Sequence, residues 1–573
     1  MNSIIQPATT TTKIFEPAPS WLKRYGQSFI LIALGLLGLA VRLVRLDYPL
    51  IFDETYQYQS SAYSLGQIIP NLFPDHCPLF FFFSHFLLNL TNYTHDAVLL
   101  RLPAVFIGLL VIPASYLLGR ELTGSYQTGL LAAFLCTFAA APVLMSQYYR
   151  MYSLLMLLAV LTSYLLLRGL RYNQWWDWAA WILLNSLNLY NHYNAIFVLI
   201  LQAAFGLVWL VFNLIPQFAA LNRTGLVGKF GTYLQSQPLH RESGKSGWLW
   251  RRVLAMLVSF GLVGLLYLPW LPHLFNFTQA TNYGINISLD KVDFRWQFVT
   301  FYLGQISFGD NPLSIGAGGV LAGLGLARLF YRQFYAGLFA LIYIGFMLVI
   351  IFNLLSGYYF LDNPRYYSFV APVYLILVAQ GSLTAYGWGR QWLATFEPGR
   401  GLAMAGTGLL LASLLYASVH TLTKYPQTQT LFTPHVTVSQ VQKLNAAATL
   451  LDIVPPTDRG SEDWFQFNLL FLASSNRANQ VALSRNYWRL DNVTSNETFA
   501  KLKNRPTNTW LTIALFDGKT RDQIEAVAAS DFVADCTEDY CVVGTHTGTG
   551  QDFRALLARF AFLNPPVIAK LLN

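Results

Sequence analysis

The stretch Arg42-Leu-Val-Arg45-Leu-Asp-Tyr-Pro-Leu-Ile-Phe-Asp53-Glu54-Thr-Tyr56 gathers two guanidinium groups and two carboxylates in one short segment. An apolar run over about residues 28–44 ends in the two arginines. A Pro-containing turn follows, and the acidic pair opens the next helical pattern. Hydrocarbon does not tolerate such charges cheaply, so they belong where a spanning segment meets water, and ionisable groups there are a site by default. A carboxylate within reach of a hydroxyl can act as a general base. Guanidinium offers paired donors to a phosphate ester and cannot lose its charge. The same setting recurs at Arg101 in Leu-Leu-Arg101-Leu-Pro103, at Arg150 in Tyr148-Tyr149-Arg150-Met-Tyr152, and at Arg365 in Asn363-Pro364-Arg365-Tyr366.

Each feature also has a plainer explanation. Asp53 suits the N-cap of a helix beginning at Glu54, and Glu54 suits its first turn. A lone arginine at a helix end snorkels to lipid headgroups. Capping accounts for the residue types but not for their company, and several arginines at one level beside carboxylates favour a lipid-phosphate site. Leu189-Tyr190-Asn191-His192-Tyr193-Asn194 fits sugar hydroxyls and ring faces, and equally fits interfacial anchoring. His76, His85, His95 and His192, with Asp75 and Asp96, show no i, i+4 ligand spacing on one helix, so no metal site is expected. No P-loop, GxSxG or HExxH pattern occurs. The Asn-x-Ser/Thr sequons, such as that at Asn89, are too short a motif to carry weight.

The elements that must position these residues are membrane helices. Of 573 residues, 54% are hydrophobic, 16% aromatic and 11% charged, against roughly 25% charged in an ordinary soluble domain. The mean hydropathy is +0.41. Eleven spans are expected, at 28–46, 98–119, 127–146, 150–168, 176–190, 194–215, 253–274, 313–331, 333–355, 366–386 and 402–420, the fifth short enough to be tilted or interrupted. Residues 1–27 read as a cytoplasmic segment without a signal-peptide pattern. With that end inside, sixteen Lys and Arg fall in inner segments against seven outside: Arg42, Arg45, Arg101, Arg150, Lys291, Arg295 and Arg365. The positive-inside rule therefore puts the acidic pair on the outer face of the plasma (inner) membrane. It also explains the formal charge of +9 as cytoplasmic loop charge, with no nucleic-acid partner implied. The basic, Gly/Ser-rich inner loop 216–252 suits a connector beside anionic lipid.

The first outer loop, 47–97, is too long for a mere connector. Within it, Pro78 opens the apolar run Leu79-Phe-Phe-Phe-Phe-Ser-His85-Phe-Leu-Leu, at about 12 residues too short to span and suited to an interfacial helix. A second outer loop, 275–312, is polar and aromatic. After residue 420 the apolar runs shorten. Helices are expected at Ser439–Leu451, Glu497–Lys503, Lys519–Ala529 and Arg554–Phe562, strands at Gln480–Ser484 and Thr509–Phe516, and a hairpin over Phe532–Gly544. Residues 421–573 thus read as an extracytoplasmic α/β domain. Cys536 and Cys541 flank the hairpin turn and could pair in an oxidising compartment, with two free thiols as the alternative.

The order Arg42…Arg45, Asp53-Glu54, His76-Cys-Pro78-Leu79, Leu100-Arg101-Leu-Pro103, Tyr149-Arg150-Met-Tyr152, His192 in a Tyr-x-His-Tyr context and Pro364-Arg365-Tyr366 resembles the GT-C membrane glycosyltransferases. Within them it is most similar to the bacterial protein-O-mannosyltransferase-like group (glycosyltransferase family 39 type) that includes the aminoarabinose-lipid A transferase. The resemblance covers roughly residues 28–390. It implies a GT-C helical domain over 28–420 with a catalytic first outer loop, inverting transfer of a hexose or pentose from a polyprenyl-phosphate donor, and no cofactor. The acceptor would be a lipid, glycan or protein. It implies Asp53 as general base, with Glu54 positioning it or binding acceptor. Arg101, Arg150 and Arg365 would hold the donor phosphate, and Arg42, Arg45, His76, Tyr149, Tyr152, His192 and Tyr366 would line the site. A transporter or lipid-linked sugar flippase would instead place ionisable groups near helix centres, which here are almost free of charge. A non-catalytic assembly subunit is the third reading.

Overall fold

The computed structural model describes residues 20–44, 46, 52–72, 76–92, 96–219, 247–280, 303, 308–309, 311–355, 364–393, 399–430, five strands between 449 and 545, and 558–559. Helix α1 (Ser20–Leu43) is followed by the shorter α2 (Phe52–Ser61), α3 (Leu65–Ile68) and α4 (Leu79–Leu90). Next come α5 (Ala97–Thr123), α6 (Tyr126–Phe138), α7 (Ala140–Ser146), α8 (Tyr152–Tyr172), α9 (Trp175–Asn191) and α10 (Ala195–Ala219). Then follow α11 (Trp248–Tyr267), α12 (Leu271–Ala280), α13 (Pro312–Arg332), α14 (Phe334–Leu355), the 3-10 turn Pro364–Val370, α15 (Ala371–Trp392) and α16 (Gly399–Thr430). Among the described residues, eight helices are long and apolar enough to cross a membrane, or nine if the bent pair α6–α7 is one span. The chain is an integral membrane protein. Each of the eleven expected segments falls on helix, but α9 and the apolar part of α14 are too short to count among these spans, so the expected eleven is not reached among the described residues. The last continues to Thr430, past its expected end at residue 420.

The interrupted span is the third rather than the fifth. α6 and α7 meet at 55°, with Ala139 extended between them (φ −63°, ψ 144°). Pro142 is the cause: it lacks the N–H that would bond the carbonyl of residue 138, and its ring crowds that carbonyl. The freed end of α6 carries negative partial charge, and Arg42 meets it. Its guanidinium is fully buried and donates to the carbonyls of Thr137 at 3.2 Å and Cys136 at 3.4 Å, and to Gly38 in its own helix at 3.2 Å. Gln147, just past α7, donates to the carbonyls of Arg42 and Val44, tying the end of α1 to the segment that carries Arg150.

Two other devices hold the bundle. A neutral polar cluster joins four helices in its interior: Gln202 donates to Thr162 at 2.8 Å and accepts from Trp181 at 2.9 Å, while Ser163 bonds the Tyr343 hydroxyl at 2.8 Å. Such groups act as glue between membrane helices. Secondly, α13 and α15 approach backbone to backbone. A Cβ at Gly325 would overlap the Leu377 carbonyl, and one at Gly381 the Leu321 carbonyl, the small-residue contact that membrane packing favours.

In the C-terminal region the described backbone forms one sheet in the order β2-β1-β3-β5-β4, from β1 (Thr449–Ile453), β2 (Tyr487–Arg489), β3 (Thr509–Ala514), β4 (Phe532–Cys536) and β5 (Tyr540–Thr545). β1 runs parallel to β2 and β3, and β3–β5–β4 are antiparallel. β3 and the β4–β5 hairpin fall where expected, and the register sets Cys536 opposite Cys541. Residues 449–451 are strand, not the end of a helix: the short apolar run Thr-Leu-Leu-Asp-Ile fits either period, and pairing with β3 decides it. β2 was not anticipated. The strand expected at 480–484 and the helices expected at 497–503 and 519–529 lie outside the described residues, as does most of Arg554–Phe562.

Replacing Gly325 by Ala is expected to destabilise the protein by about 1–3 kcal/mol, read as a lowered Tm in detergent. Gly323→Ala, with open space at the Cβ position, should leave Tm unchanged or slightly raised.

Candidate active site

α2 carries both acids in its first turn. Asp53 therefore stands inside the helix rather than at its N-cap, and its neighbour points a different way. Glu54 is fully buried and is gripped by Arg101 of α5: Nε donates to Oε1 at 2.8 Å and Nη2 to Oε2 at 2.5 Å. Oε1 also accepts from the Tyr149 backbone N–H at 2.7 Å. The third arm of Arg101, Nη1, donates to the Leu46 carbonyl at 2.8 Å. One buried charge pair thus fixes four segments: the link after α1, the start of α2, α5, and the turn before α8.

Asp53 faces the opening. Its Oδ2 lies 2.5 Å from Nη1 of Arg365, which enters from the 3-10 turn at Pro364–Val370. The Asp53 and Arg365 side chains keep 22% and 18% of their exposure, whereas those of Glu54 and Arg101 keep 0% and 5%. The first pair is part-exposed and the second is enclosed. Arg150 closes the other side. Its Nη1 donates to the Asp53 carbonyl at 3.1 Å and to Gln57 Oε1 at 3.4 Å, and its Nη2 meets His76 Nε2 at 2.9 Å. Arginine has no acceptor, so His76 supplies the lone pair here. Burial pushes the Asp53 carboxyl upward, but the charges of Arg365 and Arg150 outweigh it and hold the group below its ordinary value.

Aromatic rings wall the two arginines. Tyr152, His192 and Tyr366 meet at centroid distances of 5.5 to 6.1 Å, and the Arg365 guanidinium lies over Tyr152 and Tyr366 at 5.7 and 5.8 Å, a cation–π arrangement. Asn194 orients this wall: its N–H donates to His192 Nδ1 at 3.0 Å and its amide to the Tyr366 carbonyl at 3.3 Å. On the far side His76 packs against Tyr56 and Phe81 at 4.8 and 5.6 Å.

The structure therefore brings Asp53, Arg150, Arg365, His76, Tyr152, His192 and Tyr366 together. Arg101 stands behind this group, with its three donor nitrogens bonded to Glu54 and the Leu46 carbonyl. Glu54 is likewise a clamp for the turn and not an open carboxylate. Arg42 is spent on the end of α6 rather than lining the site. Tyr149 contributes its backbone N–H while its ring packs on Phe80 at 6.2 Å. Arg45 lies outside the described residues. Gln57 was missed by the sequence reading. It is fully buried, contacts Arg150, and bonds Ser84 and Ser61 at 3.1 and 3.3 Å. Its place four residues after Asp53, on the same helical face, was the available signal. Among the described residues, no three His, Cys, Asp or Glu side chains group as a metal site.

The chain is a multi-helix membrane bundle with a part-open carboxylate–guanidinium pair beside its first spanning helix, and its fold is the GT-C fold, as the following likenesses show. The model of the dolichyl-phosphate-mannose-protein mannosyltransferase family matches residues 32–280. ArnT from Cupriavidus metallidurans is similar in structure in its apo state, with a TM-score of 0.52 at 13% identity over 91% of this chain and 98% of that one. The same protein bound to undecaprenyl phosphate gives a TM-score of 0.50 at 14% identity over the same shares. The Archaeoglobus fulgidus oligosaccharyltransferase matches more loosely, with a TM-score of 0.43 at 13% identity over 70% of this chain, which spans 56% of that protein's length. No curated protein matches the chain by sequence.

Glu54→Gln is expected to cost about 3–5 kcal/mol by leaving Arg101 buried without its counter-charge, seen as a large loss of Tm. The double replacement Glu54→Leu with Arg101→Met should recover part of it, the remainder reflecting the orphaned Tyr149 N–H.

Proposed function

We propose that the chain is an inverting glycosyltransferase that moves a hexose or pentose from a polyprenyl-phosphate donor to a hydroxyl of a lipid, glycan or protein acceptor. The observation that carries this reading is the pair Asp53–Arg365, open to ligand and backed by Arg150. Asp53 accepts the proton of the acceptor hydroxyl as its oxygen forms the new bond to the anomeric carbon. The bond from that carbon to the phosphate oxygen breaks, and the electron pair leaves with the phosphate. That leaving group needs charge neutralisation more than an acid, which suits Arg365 and Arg150. A single displacement with a separate base inverts the anomeric centre, by the logic of inverting glycosidases. Tyr152, His192 and Tyr366 offer ring faces and polar edges to the sugar. Glu54 and Arg101 act as positioning residues. No cofactor enters this scheme.

The undecaprenyl phosphate held by the structurally similar ArnT supports a lipid-phosphate carrier. The distribution of Lys and Arg supports an outer-face site in the plasma (inner) membrane, with the C-terminal α/β region on the same side and Cys536–Cys541 as its disulfide. Against the transporter reading, the interior polar cluster around Gln202 is neutral and fully bonded at Thr162, Trp181, Ser163 and Tyr343, as suits packing rather than a pathway.

Reconstituted with polyprenyl-phosphate sugars and candidate acceptors, the protein should release polyprenyl phosphate. Asp53→Asn should lower turnover by about 10²–10⁴-fold with Tm retained and donor binding no weaker. Full turnover in that variant would exclude Asp53 as the base. Arg365→Ala and Arg150→Ala should each weaken donor binding, and unchanged affinity in both would exclude the phosphate clamp.

A further inference from the structure

A general base held below the ordinary carboxylate range is a weak one, and the groups that hold Asp53 there are those proposed to bind the donor. Arg365 has its Nη1 on Asp53 Oδ2. Arg150 has its Nη1 on the Asp53 carbonyl and its Nη2 on His76. Among the described residues, the other groups facing Asp53 are His76 from the segment before α4, Tyr152 from α8 and Tyr366 from the 3-10 turn. None of these is a second carboxylate, and Glu54 is occupied by Arg101. An anion entering this site therefore meets guanidinium groups that already have an internal partner.

We propose that the donor-free protein is self-masked: Asp53 is the resting counter-ion of Arg365, and a donor phosphate displaces it, freeing the carboxylate to act as base only when a donor is bound. The idea rests on the transferase reading above and adds an order of events to it. Phosphate and carboxylate compete for one guanidinium. Once Arg365 has turned to the phosphate, Asp53 loses its nearest cation and gains a nearby anion, and both changes raise its proton affinity. The acceptor hydroxyl is then deprotonated only where an anomeric carbon is in place. In the empty site Asp53 stays paired and unable to activate water or a stray hydroxyl.

Exposure makes the exchange feasible. Asp53 and Arg365 are each about a fifth exposed, so the pair can open without unpacking the bundle. Glu54 and Arg101 just beneath keep α2 in place whichever partner Arg365 holds.

The test is binding by the full-length protein in nanodiscs of a polyprenyl methyl phosphodiester, whose single charge does not titrate over the range used. A calorimetric titration in buffers of different ionisation enthalpy reads the protons exchanged. The wild type is expected to take up protons on binding, and to bind more tightly as pH falls towards the ordinary carboxylate range. Asp53→Asn should bind on the order of tenfold more tightly, without proton uptake. That gain should vanish when Arg365 is replaced by Gln in the same protein, since the cycle isolates the coupling between the two residues.

An equal gain in both backgrounds would mean general repulsion and would overturn the masking. So would binding by the wild type with no proton uptake, a result that leaves the transferase reading intact and needs no variant to fold. Failure of the wild type to bind the diester at all would overturn both readings. In turnover, the acid limb of kcat, which reports the donor-bound protein, should lie at higher pH than that of kcat/KM for the donor, which reports the free one. Coincident limbs would count against the proposal.

Discussion

The buried pair Glu54–Arg101 is the constraint from which the geometry of the opening follows. Two charges removed from water lose several kcal/mol of hydration each, and only close, fully bonded partners offset that loss. Here the offset is thorough, with two bonds between the side chains and one from each to backbone. Such a pair adds little net stability, yet it tolerates few alternative arrangements. A slip of α2 by one residue would replace Glu54 at Arg101 with Asp53 or Thr55 and leave a buried charge badly matched. Conformational specificity is what this interaction supplies, and the position of Asp53 depends on it directly.

Adjacent residues on one helix turn thus take opposite parts. Glu54 points inward and is immobile. Asp53 points to the opening and is paired with an arginine from a different part of the chain. Arg150 connects the two environments, since its backbone neighbour Tyr149 holds Glu54 while its own side chain reaches Asp53, Gln57 and His76. Binding sites need side chains locked by a supporting layer, and here that layer is charged beneath and aromatic at the sides.

Much of this was legible in the residue string. The helices announced themselves by length and apolarity, and Asp53, Arg150 and Arg365 stood out as charges at helix ends. What the string did not separate was the role of each charge. Arg42, Arg101 and Arg365 occupy similar local contexts, and which of them reaches a carbonyl, a carboxylate or open space depends on long-range packing. The interrupted span was misplaced for a related reason. The span at 176–190 drew attention because it is short, while Pro142, three residues past the break, carried the stronger physical signal. Gln57 was overlooked because a neutral side chain on a short polar helix reads as surface until its neighbours are known. Residues 449–451 failed differently: a five-residue apolar run satisfies both helical and strand periods, and only a partner strand chooses.

The meeting of Arg42 with the broken end of α6 has a consequence for biogenesis. Helix α1 is synthesised first and carries a cation that hydrocarbon rejects, while the broken α6 carries carbonyls that hydrocarbon rejects as strongly. Arg42 finds one carbonyl in its own helix, at Gly38, and two more at the end of α6, so each segment supplies a partner the other lacks. The contact joins Arg42 and Thr137, 95 residues apart in the chain, so it closes only after α6 has been made. That closure also brings Gln147 onto the end of α1 and sets the turn bearing Arg150 beside α2. A mismatch that looks like a defect in either helix alone serves as the recognition signal between them.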